Sequence, residues 1–169
     1  MAGRGDMLEG SMNLGLVKKG IHGIEVDPLA YRSLIDTQSF YKNNIVMGNA
    51  FDSKVCGKLT QQQWDLVITN PPYVRYQSLK ESSGKNSLIP NGNEIRRDLI
   101  DTLTKNMNIP NEDKELFVTL AKNYSGLSDL AVPSWILCAS MVKVGGKIAM
   151  ILPESWLSRD YSVPVNYIL

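Results

Sequence analysis

The chain has 169 residues, 43% hydrophobic and 21% charged, a composition that suits one globular domain and excludes a disordered or fibrous chain. Its 18 Lys and Arg nearly balance its 17 Asp and Glu, and the net charge of +1 excludes a bulk electrostatic drive towards nucleic acid. No stretch is long and apolar enough to span a membrane, and the residues after Met1 lack the apolar core of a signal peptide, so a cytoplasmic protein with no membrane partner is expected. Cys56 and Cys138 lie far apart with no metal-ligand spacing. They read as buried thiols in a reducing compartment, and no metal site is expected.

The chain opens on Gly3-Arg4-Gly5-Asp6, a Gly-x-Gly turn leading into a helix predicted from Asp6 to Lys19, with Leu8, Met12 and Leu16 at helical spacing and Gly20 as its stop. Such a turn lets backbone approach a cofactor closely, although a plain tight turn has the same pattern. Ile21–Val26 is predicted as a strand, followed by Asp27-Pro28 and a helix over Leu29–Thr37. An acidic residue ending the second strand of a nucleotide-type fold takes ribose hydroxyls. Glu25 and Asp27 both qualify. Asp27 has a competing task as helix N-cap, so Glu25 is the preferred ribose ligand. Ile45-Val46-Met47 is a third strand, ending in Gly48-Asn49-Ala50-Phe51-Asp52. There Asn49 can bond an adenine edge and Phe51 can cover its ring, or the pair is only a turn with a core aromatic.

The most informative stretch is Trp64-Asp65-Leu66-Val67-Ile68-Thr69-Asn70-Pro71-Pro72-Tyr73. Leu66–Thr69 reads as a buried strand, and two prolines end it because they lack the N–H the ladder needs. Asn70, preceding a proline, is held extended at the strand's carboxyl end, where open parallel sheets bind ligands. An amide, a stiff turn and an aromatic suit methylation of a nucleobase amino group. That amine is a poor nucleophile because its lone pair is conjugated into the ring. Two acceptors aimed at its N–H bonds, the Asn70 side-chain oxygen and the Pro71 carbonyl, favour the pyramidal form. Tyr73 offers a stacking face, typically worth about 1–3 kcal/mol. Asn cannot act as a general base, so the methyl donor must be strongly activated, as a sulfonium is. By itself the tetrapeptide can equally be an ordinary turn.

A polar stretch follows to Asn93 and reads as an exposed loop. Two helices are then predicted, over 94–107 and from a cap at Asn111 to Tyr124. Arg75, Lys80, Lys85, Arg96 and Arg97 in this region read as a solvated face rather than phosphate contacts. A further apolar helix is expected from Gly126-Leu127-Ser128-Asp129 to Val144, ended by Gly145-Gly146, before a strand over Lys147–Leu152.

In this order the segments resemble the motifs of AdoMet-dependent N6-adenine DNA methyltransferases. They are Gly-Arg-Gly-Asp at 3–6, Gly-Ile-Glu-Val-Asp-Pro at 23–28, Gly-Asn-Ala-Phe-Asp at 48–52, Asp-Leu-Val-Ile-Thr-Asn-Pro-Pro-Tyr-Val-Arg at 65–75, Ser-Asp-Leu at 128–130 and Gly-Gly-Lys-Ile-Ala-Met-Ile-Leu-Pro-Glu-Ser-Trp-Leu at 145–157. The cofactor motifs come first, as in the gamma arrangement found among restriction–modification and phage-defence methylases. The resemblance implies an α/β, Rossmann-like class I fold with a mostly parallel sheet, S-adenosyl-L-methionine at its carboxyl edge and a flipped adenine beside it. It implies Gly3 and Gly5 near the methionine moiety, Glu25 on the ribose, Val26 and Phe51 flanking the cofactor adenine, Asn49 facing its amino group, and Asp6 among the cofactor-binding residues. It likewise implies Asn70, Pro71, Pro72 and Tyr73 as the catalytic set. Asn49 is a departure, since the family has Asp there.

Against that pattern the first strand and the closing hairpin are missing. The expectation is a partial catalytic domain over 1–169, with a helical insert at about 78–125 and no target-recognition domain. Double-stranded DNA is the expected partner, met through the missing recognition domain, and a complementing chain is a second expected partner. Protein-glutamine or ribosomal-RNA N-methylation with the same Asn-Pro-Pro-Tyr, and an inactive methylase remnant, stand as alternatives.

Overall fold

The computed structural model describes residues 2–15, 20–37, 41–72, 91–125 and 129–154, and the chain divides into two compact units, Met1–Gln61 and Gln62–Leu169. In the first, helix α1 (Asp6–Asn13) leads to strand β1 (Gly23–Glu25), helix α2 (Pro28–Thr37), a single turn α3 (Tyr41–Asn44), strand β2 (Ile45–Met47) and a second single turn α4 (Ser53–Cys56). β1 and β2 are parallel, with Gly23 opposite Ile45 and Glu25 opposite Met47. Parallel neighbours need a crossover, and α2 with α3 supplies it. Leu34 of α2 is 1% exposed and forms a core with Ala2 and Ile45, against which Leu8, Met12, Tyr31 and Ile35 pack. The predicted strands and α2 are therefore present. The first helix is shorter than predicted: it ends at Asn13, its last carbonyls taken by the N–H groups of Leu14 and Gly15. Leu16–Lys19, the rest of the predicted helix, lie outside the described residues.

In the second unit, strand β3 (Trp64–Thr69) and strand β4 (Val142–Met150) are parallel, joined through helices α5 (Gly92–Lys105), α6 (Asn111–Asn123) and α7 (Ala131–Met141). α5 starts at a capping box. Asn91 Oδ1 accepts from the N–H groups of Asn93 and Glu94, and Glu94 Oε2 accepts from the Asn91 N–H at 3.0 Å. Its buried positions Ile95, Leu99, Thr102 and Leu103 form one stripe, as the apolar spacing predicts. In α6, Asn111 is the first helical residue, and Pro110 precedes it without a side-chain cap.

α7 differs from both. Every residue from Ala131 to Ser140 is buried, because α7 packs on β3 and β4 and also against α5 and α6. A helix apolar on all sides belongs in such an interior position. Asp129 Oδ1 accepts the Ala131 N–H at 3.0 Å, and Pro133 falls in the first turn, where its missing N–H costs nothing. α7 stops at Met141, three residues earlier than predicted. Gly145-Gly146 does not end it but lies inside β4, where the register against β3 jumps from Trp64–Val142 to Leu66–Lys147. A Cβ on Gly146 would stand 3.0 Å from the Asp65 carbonyl oxygen, so the irregularity needs a residue without a side chain there. The Lys143 ammonium, 3.0 Å from Asp65 Oδ1, bridges the same bend. Beyond the bend, Leu66, Ile68, Lys147 and Ala149 are exposed, whereas Val67, Thr69, Ile148 and Met150 are covered to varying degrees. β3 is thus half-covered rather than buried on both faces as its composition predicts.

Among the described residues no helix is long and apolar enough to cross a membrane.

Candidate functional site

The first cluster forms at the carboxyl ends of β1 and β2. The Gly48 N–H donates to the Glu25 carbonyl at 2.8 Å, which brings the turn after β2 beside the last residue of β1. Glu25 itself is 5% exposed, and its carboxylate is held at both oxygens: Oε2 accepts the Gly3 N–H at 2.6 Å and Oε1 accepts the Asp27 N–H at 2.9 Å. Each carboxylate oxygen has two acceptor sites, so one remains on each for a ligand hydroxyl. Asp27 Oδ1 takes the N–H groups of Leu29 and Ala30, the capping task its position predicts.

The two glycines of the opening turn serve different needs. Both have positive φ, 58° at Gly3 and 97° at Gly5. A Cβ at Gly3 meets nothing within 4 Å, whereas one at Gly5 would come within 2.5 Å of Cδ2 of Leu34, a side chain buried in the core. Gly3 therefore leaves an open surface beside the Glu25 carboxylate, and Gly5 seats the start of α1 on the core. Asp6 is exposed in the first turn of α1, where a carboxylate complements the helix dipole. Val26 is half-buried after β1.

After β2, Asn49 folds its side chain onto its own turn, with Oδ1 accepting the Phe51 N–H at 3.0 Å. Phe51 is 2% exposed, so its ring is covered by the chain itself. The next residue, Asp52, caps α4 through the Lys54 N–H at 2.8 Å. Cys56 donates its Sγ proton to the Ala50 carbonyl at 3.0 Å. Burial, with Asp52 adding to it, pushes the Cys56 thiol up to about 12, and burial raises Cys138 to about 11. Neither forms the thiolate that nucleophilic chemistry needs at neutral pH. His22, whose pKa is lowered by burial, lies 3.0 Å from the Thr60 hydroxyl and stands at the entry of β1. Among the described residues no group of three or more His, Cys, Asp or Glu is placed to hold a metal ion.

The double hold on Glu25 was not legible in the sequence, where that residue reads only as a ribose ligand. It leads to a definite expectation. Glu25→Gln keeps the shape but replaces one acceptor oxygen by an NH₂ group facing a backbone N–H. A buried donor left without an acceptor typically costs about 1–3 kcal/mol. A urea titration should show the midpoint falling with the slope unchanged. An unaltered midpoint would mean that the clamp contributes nothing to stability.

The second cluster is at the carboxyl end of the β3–β4 pair. Thr69, the last residue of β3, lies opposite Met150, and its carbonyl accepts the Ile151 N–H at 3.1 Å. Asn70 follows directly and is exposed. Pro71 is fully buried and Pro72 half-buried, so the turn after Asn70 is anchored through a ring. Tyr73 lies outside the described residues, as do Arg75, Lys80 and Lys85. The two remaining arginines are engaged within the fold. Arg96 donates to the Tyr124 carbonyl at 2.8 Å with its guanidinium 4.4 Å from that ring's centroid, and Arg97 pairs with Asp98 at 2.9 Å. Both fit the reading of a structural and solvated face better than that of a phosphate grip.

Two parallel strand pairs thus carry, at their carboxyl ends, a buried carboxylate beside a glycine turn in one unit and an amide before a buried proline in the other. No curated protein and no solved structure matches this chain. Residues 13–168 match the family model described as Eco57I restriction-modification methylase. That span takes in β1, β2, β3 and β4 and the Asn-Pro-Pro-Tyr segment, so the chain belongs to the Eco57I restriction-modification methylase family and its α/β fold is that of a Rossmann-like methyltransferase.

Proposed function

We propose that this protein transfers a methyl group from S-adenosyl-L-methionine to the N6 amino group of an adenine in double-stranded DNA. The observation that carries the reading is the placement of Asn70. It stands exposed at the carboxyl end of a parallel strand, with the fully buried Pro71 fixing the backbone behind it. An amino group presented there meets an amide oxygen from Asn70 and the backbone carbonyl of Pro71, both acceptors. Accepting the two N–H bonds draws the amine out of conjugation with its ring and turns its lone pair outward. Tyr73 supplies the stacking face for the extruded base. No group of this set can take a proton as a general base, so the proton leaves to solvent after transfer.

The residues at β1 and β2 fit an adenosyl sulfonium. Glu25 keeps one acceptor site on each oxygen for a ribose diol, and the open turn at Gly3 admits close approach of the amino-acid moiety, with Gly5 holding the turn on the core and Asp6 following it. Val26 and the Asn49–Phe51 turn border the place of the base. When bound, the sulfonium supplies an activated methyl group, which an amine without a general base requires.

The test is a side-by-side methylation assay with tritiated S-adenosyl-L-methionine on duplex DNA, ribosomal RNA and a release factor, followed by nucleoside analysis. The expected product is N6-methyladenine in the DNA alone. Label confined to RNA or to glutamine would assign the same Asn-Pro-Pro-Tyr to those substrates instead, and no label anywhere would mark an inactive methylase.

A further inference from the structure

We propose that Asn49 selects the cofactor base by donating a hydrogen bond to adenine N1, not by accepting one from its 6-amino group. This rests on the reading of the site as one for an adenosyl sulfonium. The amide has one acceptor and one donor end, and the fold has used the acceptor. Asn49 Oδ1 takes the Phe51 N–H at 3.0 Å, and the Asn49 carbonyl takes the Asp52 N–H at 3.1 Å, so the side chain is closed onto its own turn. Phe51 is 2% exposed, and that anchored ring keeps its N–H in place. The orientation of the amide is settled by the bond itself, since an NH₂ group cannot face an N–H donor. What Asn49 then presents from its half-buried position is Nδ2, which has no partner among the described residues.

The position of Nδ2 selects the edge it reads. Glu25 and Met47 are opposite each other on neighbouring strands, which run about 4.8 Å apart, and Gly48 is bonded to the Glu25 carbonyl. A nucleoside with its ribose at Glu25 reaches the turn at Asn49 with the edge remote from the sugar. On adenine that edge carries N1, an acceptor, and the 6-amino group, a donor. A donor at Asn49 matches N1 and opposes the amino group. The polarity is therefore the reverse of the one implied by resemblance to methylases with a carboxylate at this place. Such a carboxylate would keep one oxygen on the Phe51 N–H and turn a second acceptor outward.

Calorimetric binding of S-adenosylhomocysteine and its 1-deaza and 7-deaza base analogues to the unaltered chain tests this without any variant. A lost hydrogen bond of this kind typically costs up to about tenfold in affinity. The 1-deaza analogue should bind about tenfold more weakly, and the 7-deaza analogue as the parent does. Asn49→Asp retains the acceptor for Phe51 and should fold normally. It should weaken the parent compound and remove the discrimination against the 1-deaza analogue. Equal binding of parent and 1-deaza compounds, loss confined to the 7-deaza compound, or tighter binding of the parent by Asn49→Asp would each overturn the assignment while leaving the cofactor reading intact. Failure of the parent compound to bind at all would remove both.

Discussion

Asn70→Ala should slow single-turnover methylation of duplex DNA about a hundredfold and leave cofactor affinity and urea stability near the parental values. The rate effect follows from what the amide does. On the proposed reading its oxygen would accept from the amine most strongly as the lone pair leaves the ring, so the bond would be worth more in the transition state than in the bound complex. Removing one such preorganised hydrogen bond commonly costs on the order of 3 kcal/mol. Affinity for the cofactor should hold, because the residues fitted to it are Gly3 before α1, Glu25 at the end of β1 and Asn49 after β2. Stability should hold because Asn70 is exposed and the turn is anchored by Pro71, which is unchanged. Single-turnover measurement is needed, since a slow product-release step would hide the loss under steady-state conditions. A parental single-turnover rate would reduce Asn70 to a turn residue.

The largest effect on stability is expected at Leu99. Its side chain is 0% exposed in the middle of the buried stripe of α5, and α5 packs on both α6 and α7. Leu99→Ala removes three carbon atoms from a place that solvent cannot reach, on a helix packed against two others. Large-to-small changes at such sites cost about 2–5 kcal/mol, with the upper part of the range where the surroundings cannot collapse. A typical domain has only about 5–15 kcal/mol in all, so the variant should unfold at markedly lower urea. The neighbouring Ile100, half-exposed on the same helix, serves as the control. Its replacement by Ala should shift the midpoint far less. Equal shifts at 99 and 100 would contradict the packing described.

Where sequence pattern and structure agree, one local rule dominates. Ile45-Val46-Met47 is a β-branched apolar run between polar residues, and it is a strand with those bounds. Asp27-Pro28 combines a cap with a proline suited to a first turn, and α2 begins there. Ile95, Leu99 and Leu103 repeat at four-residue spacing, and α5 buries them. The disagreements arise where a residue type has two uses. Gly145-Gly146 is a common helix stop, but here it lets β4 bend against the Asp65 carbonyl, a contact distant in sequence and so invisible to local pattern. Asn111 has the chemistry of a cap, yet the helix already begins at it, while the cap that does act, Asn91, is disclosed only by its partner Glu94 three residues on. The single turns α3 and α4 are too short to show a period. At the candidate site, the type and order of Gly3, Glu25, Asn49 and Asn70 could be read directly. The clamp of Glu25 on Gly3 and the closure of Asn49 onto Phe51 could not, because both depend on which lone pair the backbone has already taken.

The all-round burial of α7 has a consequence for how this part of the chain opens and closes. A surface helix can fray one turn at a time, since its outer face has no neighbours to lose. α7 has no outer face over Ala131–Ser140, so exposing any of its amides to solvent means parting it from β3 and β4 on one side or from α5 and α6 on the other. Its backbone protons should exchange with deuterium only through an opening that takes those elements together. Protection along the helix should be nearly uniform rather than graded from its ends. Any opening that exposes α7 therefore takes its packed neighbours with it, whereas the outer faces of α5 and α6 can fluctuate without it.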